Sequence, residues 1–269
     1  MQTLTVIIPC YNAAGTLART LDSVVVQPEA AQILVVDDGS QDASPDIAEQ
    51  YARQYPQIEL LRMPQNGGAA RARNWGAMHA RHPLLAFIDA DDEYLPGALA
   101  VAAAFLQAHP GQVAVRFDVE FCGFPDDITH HHQFDAFAAT LSNTVPSSLV
   151  IRRSIYTTFG GFPLDDVFRR YGGEDGAFSL ALLNIFGNPR LDDRKRVRMH
   201  YHPKIHAERY FRISMGMLDA SDELVNSTRE ASWRFVRAAY EAVKEVRGAE
   251  LVPHLTAQPA TETPPDQSA

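Results

Sequence analysis

The chain has 269 residues, with 24 lysines and arginines against 33 aspartates and glutamates, a formal net charge of −9. That balance excludes nucleic acid as the expected partner, since neutralising phosphates takes an excess of cations. Hydrophobic residues at 46% and charged residues at 21% describe a globular protein, and two cysteines, Cys10 and Cys122, indicate a reducing compartment without a disulfide framework.

The first half alternates two patterns. Leu4-Thr5-Val6-Ile7-Ile8 is apolar on both faces, as a buried parallel strand requires, and strands are predicted again at 32–36, 58–61, 84–88 and 113–121. Between them, helices are predicted over 16–26, 44–55, 69–81 and 96–108; the second opens on Ser44-Pro45, a cap followed by proline in the first turn. Such alternation builds right-handed βαβ units, so the expected fold is α/β, with a mostly parallel sheet flanked by helices. Residues 123–144, which include His130-His131-His132, show no clear period. A strand-like run follows at 147–155, a turn at Gly160-Gly161, and a helix at 174–186. Residues 190–212 hold eight basic and three acidic residues, a local +5, and 206–247 reads as one long or two shorter helices. The tail, 251–269, has four prolines and no aromatic residue, a disordered composition. The apolar run 98–106 is too short to span a bilayer and the start lacks a basic leader, so a cytoplasmic location is expected.

Ligands of such sheets bind beyond the carboxyl ends of the strands. There the chain places Pro9-Cys10-Tyr11-Asn12, Asp37-Asp38-Gly39-Ser40 and Asp89-Ala90-Asp91-Asp92. Any one of these is a turn; three at one edge suggest a ligand site. Asp89 and Asp91, one residue apart, suit Mg²⁺ or Mn²⁺, which take carboxylates together with substrate phosphates. Tyr11 can stack on a base and Asp38 can accept from a base or ribose. No G-x-G-x-x-G follows the first strand, and no G-x-x-x-x-G-K-[ST] occurs. Cys10 reads as a small buried residue rather than a reactive thiolate.

The segments Thr5–Asn12, Val35–Ser40, Asn66-Gly67-Gly68 with Ala72-Arg73-Asn74, and Phe87–Asp92 together resemble the successive motifs of family 2 glycosyltransferases. Ser148–Arg153, Gly160-Gly161-Phe162 and Gly173-Glu174-Asp175 continue the match, which covers about 3–203. The resemblance implies a GT-A fold, a catalytic domain over 1–205, a helical extension over 206–250 packed on it, and inverting transfer from a nucleotide sugar, UDP by default. It assigns Pro9, Tyr11, Asn12 and Asp38 to the nucleoside, with Ala90 beside them. Arg73 goes to the diphosphate, with Arg71 as its rival. Asp91 would ligate the metal, Asp89 would reach ribose or a metal-bound water, and His202 would complete the metal site, with His200 and His206 nearby and Lys204 where glycine is usual. Asp175 is the implied catalytic base and Glu174 the alternative; neighbours on a helix point about 100° apart, so one of them should face the site. Acceptor contacts, to a glycan, lipid-linked or protein acceptor, are expected from 123–146 and the C-terminal helices, with the histidine run as an acceptor-side loop or incidental. The basic block around His202 suggests the donor diphosphate, an anionic acceptor, or peripheral contact with the inner face of a membrane. The competing reading is a catalytically silent sugar-nucleotide-binding module.

Overall fold

The computed structural model describes residues 3–187, 189–203 and 205–247; the tail at 251–269 and Lys204 lie outside them. The first half follows the alternation in sequence. β1 (Leu4–Cys10), α1 (Leu17–Val25), β2 (Ala30–Asp37), α2 (Ser44–Gln54), β3 (Ile58–Arg62), α3 (Ala69–His79) and β4 (Leu84–Phe87) form the parallel part of the sheet. β1 lies between β2 and β4, with Cys10 opposite Asp37 and Ile7 opposite Phe87, so all three strands end at one edge. Both faces are covered, which is why β1, β2 and β4 are apolar along most of their length. Val6 and Ile8 pack with Leu17, Leu21 and Val24 of α1 on one side. Ile7, Leu34 and Val36 meet Ala72 and Ala77 of α3 on the other. A Cβ on Gly76 would stand 2.6 Å from the Ile7 Cγ2, so only glycine lets α3 sit this close to β1.

The second half departs from pure alternation. β5 (Asp92–Tyr94), α4 (Ala98–Ala108), β6 (Ala114–Cys122), α5 (Asp126–Thr129), α6 (Phe134–Ser142), β7 (Leu149–Arg152), α7 (Arg153–Thr158), α8 (Asp166–Tyr171), α9 (Glu174–Phe186), β8 (Arg190–His200), α10 (His206–Ser214) and α11 (Asp222–Arg247) complete the chain. The eight strands run β3-β2-β1-β4-β7-β6-β8-β5, with four of the seven pairings parallel.

One expectation is corrected, and two segments without a prediction are assigned. The run at 147–155 is a 3₁₀ turn, a four-residue strand and the start of α7, because a short apolar stretch does not distinguish strand from helix. Residues 123–144, without a clear period, form α5 and α6. The first part of the basic block is a strand, β8, whose charges hid its period: Val197 and Met199 point into the core, while Lys195 meets Asp118, Arg196 meets Asp192 and Arg198 meets Glu120. Residues 206–247 form two helices, broken near Gly216, which has φ +72°. Phe211 of α10 enters the core on the α1 side, and Val236 and Val243 of α11 enter the core on the α3 side. No described helix is long and apolar enough to cross a membrane.

Candidate active site

The loops after β1, β2 and β4 open into a cleft of about 840 Å³. Pro9, Tyr11, Asn12, Asp38, Arg73, Asp89, Ala90, Asp91, Glu174, Asp175 and His202 all line it. The loops are stitched together before they meet any ligand. Asn12, in the left-handed region at φ +51°, donates its N–H to the Ser40 Oγ at 3.0 Å, and its Oδ1 accepts from the Gln41 N–H at 2.8 Å. The Asp38 carboxylate accepts the N–H groups of Gly67 and Gly68, each at 2.7 Å, so it fixes the turn leading into α3. Tyr11 is 51% exposed, leaving its ring open for stacking. Cys10 is buried, with its thiol pushed up to about 11 by that burial.

Arg73 is 4% exposed and spends its guanidinium on acids. Nη2 lies 2.5 Å from Asp89 Oδ1, Nη1 lies 3.5 Å from Glu174 Oε1, and the Phe162 ring lies below at 5.4 Å. Burial alone would lower its pKa, yet Asp89 and Glu174 raise it. Arg73 therefore clamps the loop after β4 to the start of α9, and its hydrogen bonds point to carboxylates rather than into open space. Arg71 is exposed.

Asp91 reaches its Oδ2 to within 3.0 Å of the His202 Nε2. Of the three neighbouring histidines, His200 is bonded to Glu93 and His206 stands against Gly172. Glu93 also pairs with the Arg19 Nε at 3.3 Å, and Arg19 donates to the Asp91 carbonyl at 2.8 Å. One side chain thus ties α1 to the end of β8, beside both members of the Asp91–His202 pair. An octahedral ion with bonds of about 2.1 Å sets adjacent ligand atoms about 3.0 Å apart, so this oxygen–nitrogen pair fits Mg²⁺ or Mn²⁺. No group of three or more His, Cys, Asp or Glu side chains able to hold an ion occurs among the described residues, so further ligands would come from phosphates and water.

Asp175 sits in the first turn of α9, where its carboxylate accepts the Gly176 N–H at 2.7 Å. Burial, reinforced by Glu174, pushes it up to about 6. Such a value suits a carboxylate that takes protons near neutral pH. Both Glu174 and Asp175 line the cleft, but Glu174 is turned to Arg73.

Two buried groups escaped the sequence reading. Asp92, 1% exposed, accepts from the Ser147 Oγ at 2.6 Å, and that oxygen accepts the Asp89 N–H at 3.1 Å. Its place in the acidic run after β4 was the available signal. Arg116, 1% exposed on β6, donates to the Val145 carbonyl (2.9 Å), Ser148 Oγ (2.9 Å) and Ser179 Oγ (2.6 Å). Ser179 in turn donates to the Asp175 carbonyl at 2.7 Å, so Arg116 supports the turn that carries Asp175. The far wall comes from Thr144 and Val145 after α6, Tyr171 at the end of α8, Arg209 and Tyr210 on α10, and Leu224 on α11. The His130 to His132 run lies between α5 and α6.

Comparison with known proteins agrees with this architecture. The succinoglycan biosynthesis protein ExoU of Rhizobium meliloti (strain 1021) is 34% identical over 135 residues, half of this chain and 38% of that protein. The glycosyltransferase AglE of Haloferax volcanii is 30% identical over 176 residues, 63% of this chain and 55% of that protein. The chain therefore spans between about a third and just over half of these relatives. Among solved structures, S. aureus TarS 1–349 in complex with UDP-GlcNAc superposes with a TM-score of 0.61 at 18% identity, over 92% of this chain and 73% of that one. The mannosyltransferase PcManGT from Pyrobaculum calidifontis, in complex with GDP-Man and Mn²⁺, gives 0.57 at 20% identity, over 92% and 75%. At these identities the likeness is one of fold, the GT-A fold. The model of glycosyl transferase family 2 matches residues 5–167, from β1 into α8, and takes in every loop of the cleft as far as Asp91. The chain belongs to glycosyl transferase family 2.

Proposed function

We propose that the chain transfers a sugar from a nucleotide diphosphate, UDP by default, to an acceptor hydroxyl with inversion at the anomeric carbon. The observation that carries this reading is one cleft that joins the ion-compatible Asp91–His202 pair to Asp175, a carboxyl raised to about 6. The structural neighbours in complex with UDP-GlcNAc and with GDP-Man support a nucleotide-sugar donor, and the Mn²⁺ bound in one of them supports a metal.

In this reading Tyr11 stacks on the base, while Pro9, Asn12, Asp38 and Ala90 shape the nucleoside end. Asp91 and His202 would hold Mg²⁺ or Mn²⁺, with Asp89 fixed beside them by Arg73. When bound, the ion supplies positive charge next to the leaving diphosphate. Asp175, ionised above about pH 6, accepts the acceptor hydroxyl's proton as that oxygen bonds to the anomeric carbon. The bond from that carbon to the diphosphate oxygen breaks on the opposite face and its electron pair stays with the nucleotide. Glu174, paired with Arg73, acts through position rather than proton transfer. We take 1–205 as the catalytic body and α10–α11 as the extension that closes the cleft. Relatives named for succinoglycan and for minor teichoic acid synthesis support a place in polysaccharide synthesis.

A panel of nucleotide sugars with Mn²⁺, scored by thermal shift and by nucleotide release, tests the proposal. At least one donor should raise the melting temperature and be slowly hydrolysed. Stabilisation by a donor with no release under any condition would favour a silent binding module instead.

A further inference from the structure

We propose that the α10 wall of the cleft binds an anionic substituent on the acceptor sugar through Arg209. This inference rests on the transferase reading above and names a property of its second substrate.

The two walls of the cleft differ in what their charges are doing. On the donor wall the acids already have partners: Asp38 holds two backbone N–H groups, Asp89 and Glu174 share Arg73, Asp91 meets His202, and Asp175 takes the Gly176 N–H. Arg209 stands on the opposite wall, exposed to the cleft, and makes no ion pair among the described residues. Its neighbours are spent. Arg212, one turn on, pairs with Glu208 and Asp127, and Glu208 is occupied by Arg212 and the Tyr201 hydroxyl. A guanidinium facing a cleft without a counter-ion is an anion site waiting for its ligand, since its fork matches carboxylate or phosphate through two parallel bonds.

Position decides which ligand. His206, one helical turn before Arg209, lies against Gly172 in the α8–α9 turn, where a Cβ would be 3.6 Å from its Nδ1. That turn leads directly into Asp175. The Arg209 wall therefore borders the carboxylate that would face the acceptor hydroxyl, whereas the nucleoside end is built from the β1 and β2 loops. Tyr171 and Tyr210 on the same wall offer aromatic faces for a sugar ring. A uronate carboxylate and a sugar phosphate share the chemistry that Arg209 recognises.

The test uses the full chain and three probes: methyl glucoside, methyl glucuronoside and glucose 6-phosphate. Their binding is measured by saturation-transfer NMR, with and without UDP and Mn²⁺, in wild type, Arg209→Met and Arg209→Lys. The expected result is about tenfold tighter binding of a charged probe than of the neutral one, abolished in Arg209→Met and partly restored in Arg209→Lys. The carboxylate and phosphate arms identify which anion is preferred. Equal binding of charged and neutral probes in wild type would overturn the proposal. So would a fall in UDP–Mn²⁺ affinity in Arg209→Met, because the guanidinium would then serve the donor diphosphate. Absence of UDP binding in wild type would count against the transferase reading instead, and the probe comparison would still be read on its own.

Discussion

In the proposed function Asp175 carries two opposed demands, one from chemistry and one from folding. Its folded carboxyl holds a proton up to about pH 6, whereas an unfolded one releases it near 3.8. Ionising it therefore costs folding free energy as pH rises between those values, and the cost persists above them. Asp175→Asn should keep donor binding and lose about 10²–10⁴-fold in transfer rate, together with the acid limb of kcat/KM near pH 6. The same variant should melt higher than wild type at pH 7.5, by the equivalent of roughly 1–3 kcal/mol, and match it near pH 4. Wild-type turnover in the variant would move the base elsewhere. Glu93 illustrates a different role, since it touches Arg19 and His200 and does not line the cleft. Glu93→Gln should raise the Mn²⁺ concentration needed for UDP binding several-fold while leaving metal-free UDP affinity unchanged, as read by titration calorimetry. That the loops after β1, β2 and β4 meet in one cleft was legible because short polar loops follow strongly patterned strands. Arg116 was not, because its partners Ser148 and Ser179 lie 32 and 63 residues away, and nothing local in a strand announces a buried arginine.

At the scale of elements, the contact between α3 and β1 fixes where Arg73 stands. Gly76 permits it: a methyl there would meet the Ile7 Cγ2 at 2.6 Å and the Val36 Cγ2 at 3.1 Å, both in buried, branched side chains. Gly76→Ala should destabilise the fold by about 1–3 kcal/mol in denaturant melts, despite the better helix propensity of alanine. An unchanged or raised midpoint would show that the two elements can part without cost. The parallel half of the sheet was readable from sequence because both faces of β1 and β2 are apolar. β8 was not, since it lies beyond β6 in the sheet and fills much of its length with ion-paired charges. Composition there reports the paired surface rather than the backbone.

For the whole molecule, the net charge of −9 does not describe the charge that a ligand would meet in the cleft. The acids at the cleft are largely engaged from within, by Arg73, by His202 and by backbone N–H groups, so the anionic nucleotide of the proposed reading would meet prepared contacts rather than bare repulsion. The Asp91–His202 pair also joins distant parts of the chain, the loop after β4 and the segment after β8, so binding there should be felt as stability of the entire fold. UDP affinity with and without Mn²⁺, measured by calorimetry in wild type and Asp91→Ala, tests this most directly. Mn²⁺ should tighten UDP binding by tenfold or more in wild type and by nothing in the variant, whereas affinities that ignore Mn²⁺, or an increment that survives in Asp91→Ala, would contradict the site.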